Sequence, residues 1–427
     1  MVDVASPKHG LEDAKVEVED LKTPIAPPKP TLITEITRLP DYDDDGSDTL
    51  PISPSSTPST YHIYAHHPCN KTISPTPDPT RDRRSGPRIS EIKAFRKDRK
   101  SRKASGLPPI DPDPNAFFLH QPYLAFHMPP QVLYTGSSKH GTRPTVLIHQ
   151  SCFWRKYKLQ LGPFLAAPGV LDPRGVVSWR HNGGDKSVRK RDDHALQGYR
   201  VRTWRLWGET GKAYVKKVKT IRQTGDGVDP DVVVVKDTKP VRADEVVYLS
   251  WTSPFSKHTR RYHFRYRDVD FYWKGTGTVR ESRACGWFLR FSHLKLVARV
   301  PCIGSGDDEK KKEGGGDEWV EVCVGKFTSS VAKEKSGTLE LFDSALLRLV
   351  EDNMPSVLEQ ACAKDCEQGI EVLQLSNKDK MLGLKRSTLY QVIVATATCM
   401  IASEKEKRHT IIDLIIAAAE QGGGGGG

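Results

Sequence analysis

Residues able to do chemistry are present in this 427-residue chain, but their spacings point away from the common reaction centres. The stretch "GETGKAY", residues 208–214, has a Gly-Lys pair of the kind that holds phosphate, yet lacks the glycine spacing of a phosphate loop and the hydroxyl residue after Lys212. Cys362 and Cys366 share a helix face at i, i+4 without a second pair at metal spacing, so they read as small core residues. Cys285, His293 and Cys302 have no zinc spacing. Asp268 and Asp270 sit among arginines, where charge compensation outweighs acid–base work. Neither a nucleophile elbow nor a His-Glu-x-x-His helix occurs. The expectation is a protein that is not an enzyme and needs no cofactor or metal.

What remains is positive charge. The net charge is +12, and residues 174–222 and 255–299 carry most of the excess. Two clusters stand out: Arg200, Arg202 and Arg205 with Lys216, Lys217 and Lys219, and Arg260, Arg261, Arg265 and Arg267 with Lys274. If their hairpins are neighbours, these side chains form a patch for clustered phosphates, Arg through paired bonds and Lys as a point charge. Trp204, Trp207 and Tyr272 add aromatic faces on which nucleobases stack.

Such clusters need strands to hold them. From about residue 115, aromatic and β-branched residues alternate with basic ones, the pattern of a sheet with one buried face. "RKYKLQLG" puts Tyr157, Leu159 and Leu161 on one face. "GYRVRTWRLWG" starts with Tyr199 and Val201 and slips phase to Trp204 and Leu206, as a β-bulge does. "RRYHFRYRDVDFYWKG" runs Tyr262, Phe264, Tyr266, then changes parity to Val269, Phe271, Trp273, which predicts a tight turn or bulge at Arg267-Asp268. Further strands are predicted at 145–150, 176–180, 213–221, 232–236, 246–252, 287–300 and 319–327, with a flexible insertion at 304–318. Amphipathic helices follow at 344–353 and 356–367, broken at Pro355 and stopped by Gly369.

The segment "STLYQVIVATATCMIA" then holds no charge from Ser387 to Ser403, and Ser387 is its N-cap. A helix apolar on nearly all sides lies in a protein core or a membrane. Seventeen residues, six of them Ser, Thr or Gln, are a poor bilayer span, which leaves the β-rich body as host. Bulged, basic-outward strands followed by this segment and then the charged "EKEKR" resemble the tubby C-terminal domain and the related LURP-one-like barrels. The resemblance covers about residues 115–405. It implies a closed antiparallel β-barrel around an apolar C-terminal helix, and recognition of phosphoinositide-like headgroups. Residues 406–427 read as a helical extension with a Gly tail; the apolar run Ile411 to Ile416 has no assigned place.

Residues 1–114 are rich in Pro, Ser, Thr and charge, and are expected to form a disordered tail, acidic and then basic. Six Ser/Thr-Pro pairs in it suit proline-directed kinases: Ser6, Thr23, Ser53, Thr57, Ser74 and Thr76 each precede proline. The basic stretch 81–103 reads as a nuclear address, a patch for anionic membranes or a linker. Eight unpatterned cysteines and no apolar leader favour the cytoplasm or nucleus, with membranes met peripherally. Three functions stay open. They are an anionic-headgroup module, a nuclear nucleic-acid-binding or transcription-associated protein, and an interaction scaffold with partners on its tail.

Overall fold

Strands with one apolar face must bury it, and here twelve of them do so by rolling into a closed antiparallel barrel. The structure is a computed structural model; it describes residues 57–66, 70–107, 113–122, 129–150, 156–178, 192–199, 212–227, 241–251, 261–275, 293–301, 319–363 and 376–422. The strands are β1 Ser59–His66, β2 Asn70–Ser74, β3 Phe117–His120, β4 Gln131–Thr135, β5 Arg143–Gln150 and β6 Lys156–Leu161. There follow β7 Glu245–Trp251, β8 Arg261–Tyr266, β9 Val269–Gly275, β10 His293–Pro301, β11 Trp319–Ser329 and β12 Lys335–Leu341. Each pairs with its neighbours in sequence, and β1 pairs with β12 to close the ring. Register shifts at Ile63/Tyr64, Leu133/Tyr134 and Leu296/Val297 supply the local bends that closure needs.

The parity change in "RRYHFRYRDVDFYWKG" is a two-residue hairpin turn. Tyr266 pairs with Val269, and Arg267 between them takes φ +52°. Tyr262, Phe264, Tyr266, Val269, Phe271 and Trp273 all point inward and are buried.

Among the described residues the α-helices are α1 Ile89–Ala104, α2 Lys212–Thr224, α3 Asp343–Asn353, α4 Pro355–Ala363, α5 Asn377–Arg386 and α6 Thr388–Gly422. Ser387 caps α6, its Oγ accepting from the Tyr390 N–H at 3.3 Å. Residues 389–401 are buried except for Gln391, and share one core with the inward faces of the strands. Its polar contacts reach β9, β6, β8 and β1: Trp273 Nε1–H donates to Thr396 at 3.2 Å, Tyr157 meets Ser403 at 2.8 Å, Tyr262 donates to Glu404 at 2.7 Å, and the Tyr390 hydroxyl meets that of Tyr61 at 3.2 Å. The first half of α6 is therefore the filling of the barrel. At its entry, buried Asp343 accepts from Ser59 at 2.5 Å, pairs with Lys385 at 3.2 Å and receives the Tyr390 hydroxyl at 3.4 Å. α3, α4 and α5 contribute Leu346, Val350, Leu358 and Leu384 to the same core. A second, smaller core lies outside the barrel, where Leu165, Val170, Val177 and Leu196 cover Val132, Tyr134 and Leu147 of β4 and β5.

Three sequence expectations need correction. β1, β2 and α1 fall within residues 1–114, so part of the supposed tail is barrel wall. The predicted strand at 213–221 is instead the helix α2, because Val215 and Val218 lie three apart, on one helical face, and form their own small cluster. Around 176–180, Val177 and Ser178 make only isolated bridges outside the barrel. The segments 232–236 and 304–318, the phase slip in 200–208 and Gly369 lie outside the described residues. Among the described residues no helix is long and apolar enough to cross a membrane.

Candidate anion-binding face

Alternation on β8 to β11 sends Tyr262, Trp273, Leu294 and Phe327 inward, so the residues between them face out. Register then decides which bases meet. Arg261 stands opposite Lys274, Lys274 opposite Lys295, and Lys295 opposite Lys326. The row ends on β12, where Lys326 faces Glu340. Four bases directly opposite one another on four consecutive strands are mutually destabilising.

Two carboxylates offset part of that repulsion. Glu321 accepts from Lys274 and, at 2.9 Å, from Arg299, while Lys326 Nζ lies 2.9 Å from Glu340. Burial alone would raise the Glu321 pKa, but the bonds from Lys274 and Arg299 hold it below the usual carboxylate range. The bond to Glu321 raises Arg299 in turn. Bases thus outnumber Glu321, Glu340 and Asp270 on this face, which makes it a candidate site for anions.

Beside the row is an open cleft of about 360 Å³, lined by Ser250, Trp251, Arg261, His263, Tyr272 and Arg299. That volume lies at the small end of ligand pockets, about 300 to 1,000 Å³. The Tyr272 ring is the common neighbour of three of these residues. The guanidinium of Arg261 lies 4.7 Å from its centroid, that of Arg299 5.0 Å, and the His263 ring stacks on it at 4.7 Å. His263 also meets Asp270 at 2.8 Å, which holds the imidazole in place.

The structure separates the residues that the sequence singled out. Arg261 and Lys274 belong to the row. Arg265 points to Asp268 at the hairpin tip, 3.5 Å away and mostly exposed. Arg267 is a clamp between elements, bonding Gln360 at 2.9 Å and Ser356 on α4, with Glu245 of β7 3.5 Å away. Lys216, Lys217 and Lys219 are exposed on α2. Tyr214 of α2 lies under Arg174, 5.6 Å from its guanidinium, and the Arg174 carbonyl meets His120 of β3, five strands round the ring from β8. Arg200, Arg202, Arg205, Arg260, Trp204 and Trp207 lie outside the described residues. Lys295, Arg299 and Lys326 were not singled out from sequence, because only the pairing register shows that they extend the row.

Of the other candidates, Cys362 is buried, and Cys285, Cys302 and Cys366 lie outside the described residues. Among the described residues no group of three or more His, Cys, Asp or Glu could hold a metal ion. Of the Ser/Thr-Pro pairs, those at Thr57, Ser74 and Thr76 are described, and Thr57 and Thr76 are exposed. Compared with known proteins, the chain matches no protein-family model, no curated protein and no solved structure.

Proposed function

We propose that the protein is a non-enzymatic module of the tubby-like kind, which binds anionic phospholipid headgroups through the outer face of β8 to β11. The row Arg261, Lys274, Lys295 and Lys326 carries this reading. Opposed bases cost folding stability, and a ligand with several phosphates would convert that cost into binding. The occupied π-surface of Tyr272 favours a phosphorylated headgroup over a nucleic acid, since two guanidinium groups and an imidazole already sit against the ring that would stack on a base. The reading puts the protein in the cytoplasm or nucleus, peripheral at membranes. Proline-directed phosphorylation at exposed Thr57 and Thr76 would add negative charge beside β1 and β2.

The test is binding of the full chain to phosphatidylcholine vesicles with and without phosphoinositide, beside duplex and single-stranded RNA and DNA, across a salt series. Headgroup-selective, saturable binding is expected, and Lys295→Glu with Lys326→Glu should weaken it by about 10- to 100-fold. Tight nucleic-acid binding with a steep salt slope and no lipid preference would replace this reading with the nuclear one. Silence in every arm would leave an interaction scaffold.

A further inference from the structure

The helix α1 is specified by its ends and not by a core. Glu91 Oε2 accepts from the Arg88 N–H at 2.7 Å in a capping box, and Oε1 takes Arg83 at 2.7 Å. At the other end the Leu107 N–H reaches the Arg102 carbonyl at 2.9 Å, and the Gly106 N–H that of Lys103 at 3.3 Å, with Gly106 at φ +71°. That pair of bonds is a Schellman stop. Between these ends no residue of the helix is buried.

Its charges are nevertheless unevenly placed. At about 100° per residue, Ile89 and Ile92 share one side of the helix with Lys93, Arg96, Lys97, Arg99, Lys100 and Lys103, and Phe95 stands at its edge next to Arg102. The other side holds both acids, Glu91 and Asp98, both serines, Ala94 and Arg102. The two half-buried positions of the helix, Glu91 and Arg102, lie on that second side. Glu91 and Arg102 therefore lean on the protein, while Ile89, Ile92, Phe95 and most of the bases look out. Ile89 is 73% exposed, Phe95 52%, and Leu107 just past the helix 56%. A helix laid on a protein ordinarily turns these faces the other way.

We infer that α1 is a membrane-docking helix, which sinks Ile89, Ile92, Phe95 and Leu107 into the headgroup boundary of an anionic bilayer while its bases meet lipid phosphates. Exposed Ile89 and Ile92 among six bases, with Phe95 at the edge of that side and Leu107 beyond it, are complementary to that surface, and the apolar residues have no use on a nucleic acid. The helix also starts at the right place. The segment leading into it is tied to the β11–β12 turn by Arg81 and Glu334, 3.2 Å apart, and Lys326 of the basic row stands three residues before β11 ends. The start of the helix and the end of the row are thus held by the same β11–β12 turn. The inference takes its partner class from the proposed function but not its site.

The experiment compares the full chain with the triple variant Ile89→Ser, Ile92→Ser, Phe95→Ser on phosphatidylcholine vesicles containing phosphatidylserine, with binding of soluble inositol hexakisphosphate as a second readout. These side chains support no core, so the variant should fold normally. Vesicle affinity is expected to fall by about tenfold or more, with inositol hexakisphosphate binding unchanged. Amide exchange over 89–107, fast in the free protein, should slow on vesicles and stay fast in the variant. Equal vesicle affinity of variant and parent overturns the docking helix and leaves the barrel site untouched. Loss of vesicle binding in Lys295→Glu, Lys326→Glu but not in the α1 variant does the same. Protection of 89–107 by duplex DNA and not by vesicles would assign the helix to nucleic acid instead.

Discussion

Val394 sits at 0% exposure midway along the buried part of α6, with strands on every side. An aspartate there would have no cation within reach, and a buried unpaired charge costs several kcal/mol. Val394→Asp is expected to abolish cooperative thermal unfolding; a variant that melts like the parent would refute the helix-filled barrel. His66 gives a pH handle. Burial and the Arg81 guanidinium, which bonds the ring at 3.1 Å, push its pKa down to about 4 from 6.5. The folded state then binds fewer protons than the unfolded one, so this contribution is intact above pH 6.5 and is lost as pH falls towards 4. His66→Gln should flatten the loss of urea stability between those pH values. Residues of this kind differ in how readable they were. The inward set Tyr262 to Trp273 declares itself by parity, whereas nothing near Lys295 or Lys326 in sequence says that they face each other.

Among elements, the β11–β12 hairpin depends on Gly337. A Cβ there would run into the Thr328 carbonyl and the Phe327 ring, across the strand pair where β12 also shifts register against β1. Gly337→Ala should cost about 2 kcal/mol by overpacking, read as a lower urea midpoint with little change in slope. The entry network predicts a second loss. Asp343→Ala removes the buried acceptor of Ser59 and the partner of Lys385, and should cost about 2 kcal/mol. Two elements escaped the sequence for separate physical reasons. α2 was misread because a Val–x–x–Val pattern among lysines imitates alternation over a short window. β1 and β2 were hidden because eight- and five-residue strands are diluted by the Pro-rich composition around them, and only long-range pairing with β12 makes them strands.

For the whole molecule, the barrel and its filling were legible because an uncharged helix in a highly charged chain has to be enclosed by something. The candidate anion-binding face was legible only as an excess of charge, since its geometry is a property of cross-strand register. That same closure has a cost in time. Ser59 of the first strand and Asp343, just beyond the last, meet across 284 residues, and the helix that fills the ring follows later still. At ribosomal rates of about 5 to 20 residues per second, β1 waits on the order of tens of seconds for its partner. Throughout that interval ten nascent strands have no interior to enclose, and both edges of the growing sheet stay open to other chains. Chaperone shielding during translation, more than any ligand, is then what should set the yield of this protein.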